Sequence, residues 1–539
     1  MSSRIILSFI LFVSSLLNAA LPEPVATVHI PMRDGVELTT DLYYPAGVKE
    51  ISDTYPCILL RVPAGRKADT WRHLAGLADH GYVVAIQDTR SALDEEGKTV
   101  PYLSDGWGVH QDGFDTVNWL ASSSFTNGSI GTVGFSAAGI TQIMLAPTAP
   151  PALKCQYIGQ AAASLYHHAI FPGGRLQKNQ VESWLGLYAP HPSVFDFVSR
   201  QHHYNEFWQK VDALAMSHKV EVPALHYGGW YDPFLQGTID AYVARHEEGA
   251  EGAKANQKLL LGPWNHFWPM DLSLGEYAVP ENGKQAPIDM STKRWFDYYL
   301  KGIDNGLDEL PSVTYYVMGT FDGSPTAGNE WRHSDRWPVA SVERSFYLSS
   351  DRTLSSVVPR LAGTFPYIND PENPVPTIGG RNLFLPSGPR DQRSIESRAD
   401  VHVFTTAPLS EDMEVTGKLT MKLFVSSDLA DSDIAVRMTD VYPDGKSLLI
   451  ADGLVHVGKQ VDKDALDKDQ PLEVDIDLWS TSIIFSKGHA LRVSVSGSNY
   501  PRHEINRKKV VASVDEPGKG KIYVGGATPS RLILPVVAK

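Results

Sequence analysis

Apolar and polar positions follow different rhythms along this chain. From about residue 27 to 160, short apolar runs alternate with turns and helix-spaced segments. Val28-His29-Ile30-Pro31-Met32, Arg33-Asp34-Gly35 and Val36-Glu37-Leu38 predict a hairpin closed by an Asp-Gly turn. Cys57 to Leu60, Tyr82 to Gln87 and Ile130 to Phe135 predict buried strands with helices between them. That alternation argues for an α/β sheet with parallel strands covered on both faces.

From residue 162 to about 220 the strand signals vanish. Tyr166, His167, His168, Trp184, Tyr188, Phe195, Phe197, His202, His203, Tyr204, Phe207 and Trp208 accumulate there, which predicts a helical insertion. Its aromatics can form the insertion's own core or supply apolar pocket walls. The α/β rhythm resumes at Pro223 to Tyr227 and Lys258 to Leu261. Beyond about residue 340, Val415 to Val425, Ile434 to Val441, Leu472 to Leu478, Ala490 to Val495 and Lys521 to Val524 read as short strands between Gly, Pro, Asp and Ser clusters. They predict a separate sandwich or jelly roll. The expected division is a leader at 1–20, the first part of the core at 21–161, a cap at 162–221, the second part of the core at 222–340 and a β-domain at 341–539.

Composition narrows the function classes. The 539 residues are 42% hydrophobic and 20% charged, as in an ordinary globular protein, with a net charge of −14. A basic nucleic-acid footprint is absent in bulk, so no nucleic-acid partner is expected. Met1 to Ala20 has a basic Arg4, an apolar run from Ile5 to Leu17 and small residues at Ala19-Ala20, the layout of a secretory signal peptide. That run is shorter than the ~20 residues of a spanning helix. The expectation is a secreted or periplasmic protein without stable membrane association after cleavage. Its two cysteines, Cys57 and Cys155, fall on strands with a third between them, about 10 Å apart from strand spacing. Two free, buried thiols are expected.

The chemistry centres on Gly131-Thr132-Val133-Gly134-Phe135-Ser136-Ala137-Ala138-Gly139, where a buried strand runs into a serine flanked by small residues and then into a helix. A nucleophile elbow needs this arrangement, because its serine sits in a sharp, strained turn. The spacing is G-x-S-x-x-G rather than the commoner G-x-S-x-G. A serine needs a base, and the base an orienting acid. The strand ending at Tyr227 leads to Asp232, and the strand Leu259 to Leu261 leads to His266. Each lies just past a strand's C-terminal end, where open α/β sheets build sites. Trp230, Phe234 and Trp264, beside the acid and the imidazole, are candidate substrate-pocket residues. His167-His168 and His202-His203 lack metal-ligand spacing. Asp428, Asp431 and Asp433 fit no EF-hand and read as a solvated acidic turn. No metal or cofactor is expected.

At these residues the chain resembles the serine hydrolases that group cocaine esterase, glutaryl and cephalosporin acylases, α-amino-acid ester hydrolases and X-Pro dipeptidyl-peptidases. The resemblance extends over Val28 to Asp41, Gln87-Asp88-Thr89-Arg90, Gly228 to Asp232, Gly262 to His266, Tyr316 to Gly319, Glu330-Trp331-Arg332, Asp370 to Thr377, Phe404 to Leu409, Asp440 to Gly445 and Pro529 to Leu532. It implies an α/β-hydrolase core, a helical cap and a C-terminal jelly-roll (galactose-binding-like) domain. It also implies acyl transfer, with Ser136 as nucleophile, His266 as base and Asp232 as orienting acid.

Two departures from the family pattern bear on function. The resemblance implies a tyrosine oxyanion donor in an R-x-P-Y stretch, but here Arg61-Val62-Pro63-Ala64 places alanine there. The expected oxyanion hole is the Ala137 N–H plus a backbone N–H of Ala64 or Gly65. The family's α-amino-acid ester hydrolases place acids two and three positions after the triad Asp, where this chain has Phe234 and Leu235. That disfavours substrates with a free α-amino group. The favoured partner is a small-molecule or peptide acyl substrate with an apolar or aromatic acyl group. The alternatives are an X-Pro dipeptidyl-peptidase and a non-catalytic binding protein with an impaired oxyanion hole.

Overall fold

A computed structural model describes residues 21–45, 47–48, 53–63, 65–427, 432–460, 470–505 and 518–538. The leader, Ala64, Asp428 and Asp431 lie outside the described residues. No described helix is long and apolar enough to cross a membrane.

Ten described strands form one mixed sheet: β1 (Ala26–Pro31), β2 (Glu37–Tyr43), β3 (Tyr55–Val62), β4 (Val83–Asp88), β5 (Thr126–Phe135), β6 (Leu153–Gly159), β7 (Ala224–Gly229), β8 (Gln257–Gly262), β9 (Val313–Val317) and β10 (Glu330–Ser334). Their order is β1-β2-β4-β3-β5-β6-β7-β8-β9-β10. The run from β4 to β9 is parallel, and the hairpins β1–β2 and β9–β10 make antiparallel edges. The Asp-Gly hairpin forms as expected, with Pro31 opposite Glu37.

Strand alternation divides the core between two faces. Ile58, Leu60, Val84 and Ile86 pack with Trp295, Phe296 and Leu300 of helix Thr292–Lys301. Cys57, Leu59, Val83 and Ala85 pack with Val117 and Leu120 of helix Asp112–Ser122. Helix Thr292–Lys301 begins at Ser291, whose hydroxyl accepts the Arg294 N–H, and ends at Gly302 in the left-handed region. Gly131 on β5 leaves room for the Phe296 ring, which a Cβ there would meet at 2.8 Å. Cys57 on β3 and Cys155 on β6 flank β5 as free, buried thiols, and burial raises both thiol pKa values.

Between β6 and β7 lie helices Lys178–Tyr188, Pro192–Ser199 and Glu206–Gln209, with no named strand among them. Most of the insertion's aromatics pack on one another. Tyr166, Phe171 and Trp208 cluster, and Trp184 stacks on Tyr102 at 5.5 Å.

The described residues beyond about 340 form two antiparallel sheets. In one, Met413–Ser427 pairs with Leu472–Phe485, Gly518–Val524 and Arg531–Val536. In the other, Ala490–Ser496 and Ser447–His456 flank Asp433–Val441. Leu419, Met421, Leu423 and Val425 alternate into a core that also takes Ile434, Val436 and Met438. That core continues into the first sheet through Trp230, Tyr231, Leu261 and Tyr316. Asp433 corrects the reading of a solvated turn. It is buried and accepts from Arg175 at 2.7 and 2.8 Å, and its other oxygen meets His456 at 2.8 Å.

Candidate active site

Ser136 follows β5 directly, Asp232 lies three residues after β7, and His266 lies four after β8. All three strands are parallel, so their C-terminal ends face the same edge of the sheet. Ser136 has φ 56 and ψ −127. A non-glycine residue rarely adopts that left-handed φ. Two glycines make the turn possible. At Gly134, with φ +149, a Cβ would meet Ala138 at 2.7 Å and Leu60 at 2.9 Å. At Gly139 a Cβ would meet the Gly159 carbonyl oxygen at 2.7 Å and Ala161 at 2.8 Å. The second requirement falls at 139, where the helix crosses the end of β6, and accounts for the G-x-S-x-x-G spacing.

The three side chains form a hydrogen-bonded chain. Ser136 Oγ and His266 Nε2 are 2.8 Å apart, and His266 Nδ1 and Asp232 Oδ2 are 2.6 Å apart. With Nδ1–H donating to the carboxylate, Nε2 is left as the acceptor for the serine hydroxyl. Asp232 is fully buried, and its Oδ1 accepts the Phe234 N–H at 2.6 Å. Backbone bonds join the two loops: Trp230 N–H to Gly262 O and Tyr231 N–H to Trp264 O, both at 3.0 Å. The Ser136 carbonyl accepts from Gly139 and Ile140 at 2.9 Å, starting helix Ala137–Leu145. The first N–H groups of a helix have no acceptor within it and carry positive potential. Ala137, the residue after the serine, is buried at that N-terminus.

Ala64, the other expected oxyanion residue, lies outside the described residues. Its neighbour Gly65 has φ +93, and the Arg66 N–H donates to Asp88 Oδ1 at 2.6 Å. The Gln87-Asp88-Thr89-Arg90 stretch is structural. Gln87 bonds to Thr40, Arg61 and Thr116, and Arg90 bridges Asp34 and Asp112.

The three candidate pocket residues occupy different surroundings. The Phe234 ring lies edge-on to His266 with centroids 5.3 Å apart. It lines a small apolar cavity with Ile140, Leu165, Ile170, Val181 and Trp184. Trp230 is buried in the core shared with the C-terminal sheets, its indole N–H donating to the Tyr316 carbonyl at 2.7 Å. Trp264 stacks on Trp268 at 3.6 Å and donates to the Gly283 carbonyl at 2.8 Å. Leu235, where the ester-hydrolase pattern has an acid, is fully buried in apolar core. His168 bonds to Asp240 at 3.1 Å, and His167 stacks on Tyr204 at 5.2 Å.

This is the fold and geometry of a serine hydrolase built on a parallel sheet, and comparison with known proteins agrees. Residues 34–193 and 182–268 match the family described as X-Pro dipeptidyl-peptidase (S15 family). Residues 305–533 match its C-terminal non-catalytic domain. The chain belongs to the CocE/NonD family of serine hydrolases. It is 30% identical to the cocaine esterase of Rhodococcus sp. (strain MB1 Bresler), over 95% of this chain and 98% of that one. Two solved structures share its fold. An aminopeptidase from a marine-sediment Thaumarchaeota archaeon aligns with TM-score 0.76 at 22% identity, covering 97% of this chain and 99% of its own. An α-amino acid ester hydrolase aligns with TM-score 0.77 at 23% identity, covering 97% and 98%. The chain is therefore a hydrolase acting on ester or amide substrates, and the non-catalytic alternative falls.

Proposed function

We propose that this protein is an exported serine hydrolase that cleaves carboxylic esters through an acyl-enzyme on Ser136. The observation that carries the proposal is the buried Ser136–His266–Asp232 hydrogen-bonded chain. His266 Nε2 takes the Ser136 proton as Oγ attacks the substrate carbonyl. Asp232 holds the imidazole tautomer and stabilises the imidazolium that forms. The tetrahedral oxyanion accepts from the Ala137 N–H and from a backbone N–H of the Ala64-Gly65 loop. His266 then protonates the leaving group, which departs and leaves the acyl-serine. It next activates a water to hydrolyse that ester. Phe234, whose ring lies edge-on to His266, flanks the acyl side of the site. The leader at 1–20 directs export, and the C-terminal sheets form the jelly-roll domain at 341–539.

Esters rank above amides because a 30% identical relative is named an esterase. A second reading, release of X-Pro dipeptides, draws on the two family descriptions. It requires an anchor for a substrate ammonium, and Phe234 and Leu235 offer none. Steady-state kinetics on aryl esters, aryl amides and X-Pro chromogenic substrates test the ranking. The expected result is the highest kcat/KM for esters of apolar or aromatic acids. Faster release of an X-Pro dipeptide overturns it.

A further inference from the structure

Between the strands that lead to the serine and to the acid lies β6, and its C-terminal end meets all three triad-bearing segments. Gly159 ends β6, and its carbonyl accepts the Ser136 N–H at 2.9 Å. The next residue, Gln160, is fully buried with φ +47. Its backbone N–H donates to the Tyr227 carbonyl at 2.7 Å, on the strand that leads to Asp232. Its side-chain Nε2 donates to the carbonyl of Asn265 at 2.9 Å, one residue before His266. Two consecutive residues thus tie together the segments bearing nucleophile, acid and base.

The chemistry fixes the direction of the side-chain bond. A backbone carbonyl only accepts, so the amide must turn its nitrogen towards Asn265. A left-handed φ at a residue with a Cβ is sparsely populated and persists where its surroundings over-determine it. Here the backbone bond to Tyr227 and the side-chain bond to Asn265 supply that constraint. The far side of the same turn is held by Asn265 itself. Its Oδ1 accepts the Phe267 N–H at 2.7 Å, and its Nδ2 donates to Ser273 O at 2.8 Å.

The geometry points to Gln160 as a positioning residue for the reaction: its amide fixes the main chain at His266 so that the imidazole stands between Ser136 and Asp232. This rests on the triad reading given above. Gln160 acts on the base through the loop.

Gln160→Met keeps a side chain of similar length and removes the donor. The expected result is a kcat lowered about 10- to 100-fold by misplacement of the base, with KM and thermal midpoint nearly unchanged. The far-downfield proton resonance of His266 Nδ1–H, present in wild type and absent in Asp232→Asn, should broaden in Gln160→Met. If Gln160→Met does not fold, Gln160→Leu carries the same kinetic test, because its apolar side chain offers the Asn265 carbonyl no donor. Wild-type kcat and an unchanged resonance in a folded variant overturn the assignment. Ser136→Ala separates the two proposals. An inactive Ser136→Ala beside a fully active Gln160 variant refutes the positioning role alone. An active Ser136→Ala refutes the triad reading and the positioning role with it.

Discussion

Asp232 concentrates the electrostatics of the site in one buried carboxylate. One oxygen holds His266 and the other holds the Phe234 N–H. Asp232→Asn keeps the shape but favours the wrong imidazole tautomer, so kcat should fall about 10⁴-fold. Steady-state kinetics beside a thermal melt check that activity falls while the fold survives. If a backbone N–H of the loop at Ala64-Gly65 serves as the second oxyanion donor, Ala64→Tyr should bring no large gain in kcat. A missing donor is worth ~10²–10³-fold, so a gain of that order on esters would contradict the backbone assignment.

Among the elements, the turn from β5 into helix Ala137–Leu145 is closely packed around the nucleophile. Gly139→Ala drives a Cβ to 2.7 Å from the Gly159 carbonyl oxygen. It should destabilise the protein by about 1–3 kcal/mol, the usual cost of overpacking. It should also lower kcat by tilting the nucleophile, both checked by urea denaturation and ester kinetics on one preparation. The buried parallel strands and this turn were legible in the sequence, because a strand covered on both faces must be apolar and a strained elbow must be lined by small residues. Other elements left no such mark. Glu330–Ser334 is a polar edge strand, and β5 begins at Thr126, with Asn127-Gly128-Ser129 lying unpaired in an irregularity between the pairs Tyr55–Thr126 and Cys57–Ile130. Trp264 lies two residues before the base in sequence, yet its indole folds back over Gly262, where a Cβ would meet the ring at 2.2 Å. Sequence adjacency put it near the site, and the small residue beneath it seated it in the core. Gln160 was illegible, since one polar residue after a strand looks like any turn.

Across the whole molecule, the hydrolase sheet and the C-terminal sheets share a core, and Tyr231 hydroxyl donates to Leu449 O at 2.9 Å between them. Two buried histidines contribute to its response to acid. Burial lowers both His226 and His503 from the ordinary 6.5 to about 3. Between those values the unfolded chain binds protons that the folded protein does not. Stability is therefore present above pH 6.5 and is lost as pH falls towards 3. Each group contributes up to about 1.4 kcal/mol per pH unit in that window. Urea midpoints at successive pH values should decline through it, and His226→Asn should flatten the decline by about one proton. Intact-protein mass spectrometry after fluorophosphonate treatment reads directly whether Ser136 is a nucleophile activated by His266 and Asp232. The folded wild-type protein should gain a single adduct, mapped to Ser136, and Ser136→Ala should gain none. A folded wild-type protein that takes up no adduct, or carries it on another residue, would refute Ser136 as the nucleophile.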